Sequence, residues 1–282
     1  MSLTGGKRAV GSRLLVGLVA DDTDRTPSLL NVAISFCHST SSSMSVFVFP
    51  ASLLQPFPLT AGTSSIWYQQ ELDKLAREAA ATLKLVRGLL STAGINAVCT
   101  SANTPFGLQE SHFFQAACAH DIIMLEAPSS IESSRRVENL LFRSGRPVLM
   151  VPETTAQLPS RVSIGWDGSA QAVRAIAGAL PILRGADDVF VVTVTGEKDV
   201  SSRTPNAMMV EYLQWHGIRS KALELHADRG DVLVRLELFC QEEEIGFMVT
   251  GAYAHSRVKE AIFGGVTRSI LDRCTMPVLM AN

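Results

Sequence analysis

The sequence predicts an α/β protein of two tandem domains, each a five-stranded doubly wound parallel sheet with helices on both faces. Three observations carry that prediction. Short apolar runs alternate with helix-period segments from end to end, the pattern of parallel strands buried on both faces and joined by crossover helices. Arg143-Ser144-Gly145-Arg146-Pro147-Val148-Leu149-Met150 recurs as Arg273-Cys274-Thr275-Met276-Pro277-Val278-Leu279-Met280, matching at five of eight positions 130 residues later. A recurrence at domain-sized spacing points to duplication. The two halves also open alike, with Leu14 to Asp22 paralleled by Val162 to Gly168: an apolar strand that ends in Asp and leads into a helix.

In the first half, residues 14–20 read as a buried strand. Thr26-Pro27 supplies an N-cap with Pro at the first helical position, opening a helix to about Cys37. A strand over 45–49 follows, then a Pro- and Gly-punctuated loop over 50–65. Leu72, Leu75, Ala79, Leu83, Val86 and Leu90 step by three or four, so they mark one long amphipathic helix ending at Gly94. Strand 95–100, helix 108–119, strand 122–125, helix 131–143 and strand 148–151 complete this half.

Residues 152–160 have no apolar period and read as a linker between domains spanning 1–152 and 160–282. The second half repeats the order: strand 162–166, helix 169–183, strand 189–195, helix 207–216, strand 220–225, helix 231–241, strand 245–250, a glycine loop, helix 266–273 and strand 278–280.

Composition narrows the class. The 282 residues suffice for two cores, and 46% apolar with 18% charged residues is the balance of a folded protein. A net charge of −2 gives no overall attraction to nucleic acid or anionic lipid, and no apolar run approaches the ~20 residues that span a bilayer. Lys7, Arg8 and Arg13 ahead of an apolar run resemble a signal peptide, but the run is short and is followed by Asp21, Asp22 and Asp24. Residues 1–12 are expected to be a loose leader before a buried first strand. Cysteines 37, 99, 118, 240 and 274 form no C-x-x-C pair and are odd in number, which argues for reduced cytoplasmic thiols used as small hydrophobes and against zinc. The expected location is the cytoplasm.

The chemistry concentrates near the end of the chain. A strand runs into Gly251-Ala252-Tyr253-Ala254-His255-Ser256-Arg257, and Gly264-Gly265-Val266-Thr267 then opens a helix. Backbone N–H groups at a helix N-terminus favour an anion, and glycine lets the backbone approach a phosphate closely. Ligands of such sheets sit beyond the C-terminal strand ends, and both Asp167 and Gly251 fall there.

These residues resemble the universal stress protein family, in a tandem two-domain form. Its ATP-binding members carry Gly, two residues, Gly, nine residues, Gly, then Ser or Thr. Here Gly251, Ala254, Gly264 and Gly265 follow that spacing, with Ala254 in place of the second glycine and Gly265 in place of the hydroxyl residue. The resemblance spans essentially the whole chain and is strongest over residues 161–282. It implies an adenine-nucleotide alpha-hydrolase-like fold with strand order 3-2-1-4-5 in each domain. It also implies an adenine nucleotide (ATP, or AMP or ADP), with Mg²⁺ able to accompany it, and a stress-response role as regulator or nucleotide-dependent switch. Carried to this sequence, the site comprises Asp167 toward adenine or ribose, and Gly251, Ala254, His255, Ser256, Arg257, Gly264, Gly265, Val266 and Thr267 about the phosphates.

Each assignment has a plainer counterpart. Asp167 also fits a helix cap, the glycines fit a tight loop, and Thr267 fits a polar first-turn residue. In the first half the corresponding stretch, Glu126-Ala127-Pro128-Ser129-Ser130-Ile131-Glu132, lacks the glycines and carries two acids, so a degenerate site is expected there. Asp21 and Asp22 read as caps, and His38, His112, His120, His216 and His226 as surface or strand-end residues. Glu242-Glu243-Glu244 reads as a solvated helix end. No nucleophile elbow, Walker lysine or framed acid pair is present, so no catalytic residue is assigned and at most a weak ATPase is expected. A nucleotide-free interaction module with a decayed site, or a slow ATP hydrolase, are the competing readings, and protein partners are unspecified. The final strands of the halves, both apolar and both following Pro, are expected to pair antiparallel as an internal pseudo-dimer, with homodimerisation secondary.

Overall fold

A computed structural model describes residues 11–20, 26–49, 65–101, 108–196, 205–227, 232–253 and 265–282. The first half runs β1 (Arg13–Val19), α1 (Thr26–Thr40), β2 (Ser43–Phe49), α2 (Ser65–Thr92), β3 (Ala97–Ser101), α3 (Leu108–Cys118), β4 (Ile122–Glu126), α4 (Ile131–Arg143) and β5 (Val148–Val151). The second runs β6 (Arg161–Gly165), α5 (Ala170–Leu183), β7 (Asp188–Thr195), α6 (Asn206–Trp215), β8 (Lys221–His226), α7 (Val232–Glu242), β9 (Phe247–Gly251), α8 (Gly265–Asp272) and β10 (Val278–Ala281).

The strands form one ten-stranded sheet in the order β3-β2-β1-β4-β5-β10-β9-β6-β7-β8. Read inward from either outer edge, each half has the order 3-2-1-4-5. Every pair is parallel except β5 with β10, which run antiparallel with Val278 opposite Met150, Leu279 opposite Leu149 and Met280 opposite Val148. These two strands would otherwise expose unpaired N–H and C=O groups, and the apolar side chains on them are fully buried once they pair.

Side chains alternate across a strand, so the sheet sorts its apolar residues into two layers. Leu14, Val16 and Leu18 face α1 and α2, and on the same side Ile164, Val249 and Leu279 face α5 and α6. Leu15, Ile123 and Met150 face α3 and α4, continuous with Met248 and Met280 under α7 and α8. Each core layer therefore crosses the β5–β10 seam without a break. Cys37 and Cys240 lie in these layers, and burial pushes their thiols up to about 12 and about 11, so they behave as small hydrophobes.

Three local readings change. Helix α2 begins at Ser65, ahead of Leu72, because nothing between Gly62 and Leu72 breaks a helix. Strand β9 begins at Phe247 because α7 closes through Glu244, at φ 52°, with the Ile245 N–H donating to the Cys240 carbonyl at 2.7 Å. His120 is buried: its Nδ1 lies 2.7 Å from the Ala116 carbonyl and its Nε2 2.8 Å from Ser45 Oγ on β2. The turn between α3 and β4 tucks this ring under the neighbouring strand, which satisfies both nitrogens away from water. The glutamate run 242–244 is exposed as expected.

The linking segment is held at both ends. Ser28 Oγ of α1 donates to the carbonyls of Glu153 at 2.8 Å and Thr155 at 3.0 Å. Pro159 packs so closely on Gly246 that a Cβ there would stand 2.7 Å from the proline ring. Among the described residues no helix is long and apolar enough to cross a membrane.

Candidate functional site

Strand β6 ends at Gly165, and Trp166, Asp167, Gly168 and Ser169 lead into α5. Asp167 Oδ1 accepts the Ser169 N–H at 3.0 Å, a turn that Gly168 completes at φ 71°. Ser169 Oγ then accepts the Ala172 N–H at 3.1 Å. The helix cap is thus Ser169, not Asp167, because only Ser169 stands at the right offset from an orphan N–H. Asp167 sits half-buried one turn ahead, at the mouth of the sheet.

Strand β9 ends beside this turn. At Gly251 an added Cβ would meet the Ala172 nitrogen at 2.7 Å and Gln171 at 3.0 Å. Glycine is therefore required here for helix α5 to lie directly against the strand end. The chain continues through Ala252, fully buried, whose N–H donates to the Ala281 carbonyl at 2.8 Å.

Tyr253 follows with φ 58°. Its N–H donates to Thr267 Oγ1 at 3.1 Å, which ties the exit of β9 to the first turn of α8. Thr267 is 3% exposed, so its hydroxyl braces the backbone where sequence reasoning placed it toward phosphate. Gly265 opens α8 with no described atom within 4 Å of the position of a Cβ, and Val266 packs half-buried against the second core layer. Ala254, His255, Ser256, Arg257 and Gly264 lie outside the described residues, as do Asp21 and Asp22. Of the expected site, the structure brings together Asp167, Gly251, Gly265, Val266 and Thr267 within one cluster of helix starts and strand ends.

Sequence reasoning missed Tyr253, though it lies within the motif. Its hydroxyl donates to Glu138 Oε1 on α4 at 3.0 Å, and its ring stacks on Phe142, with centroids 4.4 Å apart. Burial, reinforced by the Glu138 charge and hydrogen bond, holds the phenol well above its ordinary pKa, so it remains a donor.

The matching place in the first half is built differently. Strand β4 passes through only residues 127–130 before α4 begins. Ser130 Oγ accepts the Ser133 N–H at 3.2 Å, and Ser133 Oγ accepts the N–H groups of Ser129 at 3.1 Å and Ser130 at 3.0 Å. Three N–H groups at this helix start, those of Ser129, Ser130 and Ser133, are taken by the helix's own serines. Pro128 contributes no N–H at all.

The first turn of α5 lies against Gly251 and the first turn of α8 is tied to Tyr253, so two helix starts lie beside the end of β9, and the N-terminal end of a helix favours a negative group. Among the described residues no group of His, Cys, Asp and Glu is arranged to hold a metal ion.

No protein-family model and no curated protein matches the sequence. Solved structures do. The chain is similar to a universal stress protein from Archaeoglobus fulgidus DSM 4304, with TM-score 0.67 and 15% identity over 95% of this chain and 98% of that one. It is also similar to a protein of Pseudomonas aeruginosa UCBPP-PA14 provisionally named a universal stress protein, with TM-score 0.55 and 16% identity over 96% and 92%. A protein of unknown function from Pseudomonas aeruginosa PAO1 aligns with TM-score 0.56 and 16% identity over the same shares, 96% and 92%. The chain has the universal stress protein fold along nearly its whole length.

Proposed function

We propose that this chain is a stress-response protein that binds an adenine nucleotide, ATP, in its second half only, and acts as a regulator whose state follows the nucleotide. The observation that carries the reading is the junction of three parts: the first turn of α5 against Gly251, the exit of β9, and the first turn of α8 held to Tyr253 through Thr267. The start of α8 would offer its N–H groups to an anion beside the exit of β9, and no described atom lies within 4 Å of where a Gly265 Cβ would stand. Asp167, half-buried beyond the end of β6, would accept from a ribose hydroxyl or an adenine amine through its second carboxylate oxygen. The fold it shares with universal stress proteins supports the same reading. Mg²⁺ would arrive with the phosphates and be held mainly by them.

The asymmetry of the halves supports a single site. Three donors at the serine-capped start of α4 are occupied, whereas the sequence around the start of α8, residues 262–268, carries Gly264 and Gly265 and no serine. Calorimetric titration of the full chain with ATP and Mg²⁺ is expected to give a stoichiometry near one. Mass spectrometry of the ligand released on denaturation is expected to find an adenine nucleotide. A stoichiometry of two would defeat the asymmetric reading. Absence of both binding and released nucleotide would leave the chain a nucleotide-free interaction module. Phosphate release above that of a Gly264→Asp variant would make it a slow hydrolase.

A further inference from the structure

We infer that Tyr253 is a positioning residue through which helix α4 of the first half becomes part of the second half's site. The backbone of Tyr253 occupies the left-handed region, at φ 58°, which a residue with a Cβ adopts only where its surroundings hold it there. Three contacts hold it. Its N–H is fixed by Thr267 Oγ1 at 3.1 Å, its hydroxyl by Glu138 Oε1 at 3.0 Å, and its ring by Phe142 at 4.4 Å. Two of the three come from α4, 115 residues away from Tyr253 in the case of Glu138.

Tyr253 is 7% exposed and its bond to Glu138 is partly buried, so water replaces that bond only in part if Glu138 is lost. A carboxylate acceptor also makes this the stronger kind of hydrogen bond. Tyr253 is the second residue after β9, so its φ sets the direction in which the chain leaves the sheet at the end of β9. Moving α4 relative to β9 would release Tyr253 and turn the exit. By linkage, a ligand that needs this exit geometry also strengthens the docking of α4. The two halves are then coupled at the site itself as well as along β5 and β10. The ligand side of this inference rests on the nucleotide reading; the coupling of α4 to Tyr253 does not.

The test uses the full chain and four variants: Tyr253→Phe, Glu138→Ala, the two combined, and Glu138→Gln. Three quantities are measured: amide exchange at Tyr253 and Ala252, the dissociation constant for ATP, and the urea midpoint. Tyr253→Phe and Glu138→Ala are each expected to speed exchange of the Tyr253 N–H by about tenfold and to weaken ATP by about fivefold or more. The double variant should be no worse than either single one, because both remove the same bond. Glu138→Gln keeps an acceptor oxygen but loses the charge, so it should fall between the wild type and Glu138→Ala, and Ala252, held by Ala281, should be unmoved. Unchanged Tyr253 exchange in both single variants overturns the inference. So does additive loss, or a loss in Glu138→Gln as large as that in Glu138→Ala that tracks the urea midpoint. If the wild-type chain binds no ATP, the proposed function fails and the exchange measurements alone decide the coupling.

Discussion

Leu279 of β10 stands directly opposite Leu149 of β5, both without solvent exposure, at the centre of the antiparallel ladder that joins the two halves. A parallel sheet of five strands leaves its last strand with a free edge. Here two such edges meet, and the core layer containing both leucines becomes common to the halves.

Replacing Leu279 by Lys puts an ammonium group into that seam. Losing a buried leucine costs about 2–5 kcal/mol, and an unpaired charge adds to it. Leu279→Lys is expected to lower stability by at least about 3 kcal/mol in urea denaturation, and to speed proteolysis within residues 152–160. Wild-type protection of that segment with an unchanged urea midpoint would mean the seam does not hold the halves together.

Gly251→Ala tests the close approach of α5 to β9. The new Cβ would meet the backbone nitrogen of Ala172 at 2.7 Å, and a backbone atom cannot rotate aside. A loss of about 1–3 kcal/mol is expected from overpacking, read from denaturant midpoints. Nucleotide affinity should fall with it, because the first turn of α5 is displaced.

Gly265→Asp separates the site from stability. Among the described residues nothing crowds the position, and an acid in the first turn of α8 complements the helix dipole by about 0.3–1 kcal/mol. The same carboxylate would repel a phosphate bound there. The expected outcome is unchanged or slightly raised thermal stability with ATP affinity reduced about tenfold or more. Undiminished affinity would remove the start of α8 from the site.

His120 should give the fold a pH dependence. Burial is the main cause that lowers its pKa from 6.5, opposed by the hydrogen bond to the Ala116 carbonyl. The unfolded chain then takes up this proton at higher pH than the folded one. The stability His120 contributes is complete above 6.5 and is lost as pH falls through the lower folded value. Urea midpoints measured from about pH 7.5 to 5.5 should fall toward acid, and His120→Gln should flatten part of that fall. Identical slopes in both proteins would exclude His120 as the cause.

The candidate site was legible in part. Gly251, Gly265 and Thr267 stood out because they lie on a short motif directly after an apolar strand, and the structure gathers them at the predicted sheet end. The cap at Ser169 was not separable from Asp167 by sequence, since both precede the same helix and only the direction of each oxygen decides. His120 looked like a turn residue, and its burial depends on where β2 runs beneath that turn.

By itself the sequence determined the order of strands and helices, the twofold repeat and the apolar edges that pair, because burial periodicity and glycine or proline punctuation are local properties of the chain. Only the tertiary structure decided that Tyr253 meets Glu138 and Phe142. Those contacts join residues on opposite sides of the seam, and no period in the chain records which side chains face each other once β5 and β10 are paired.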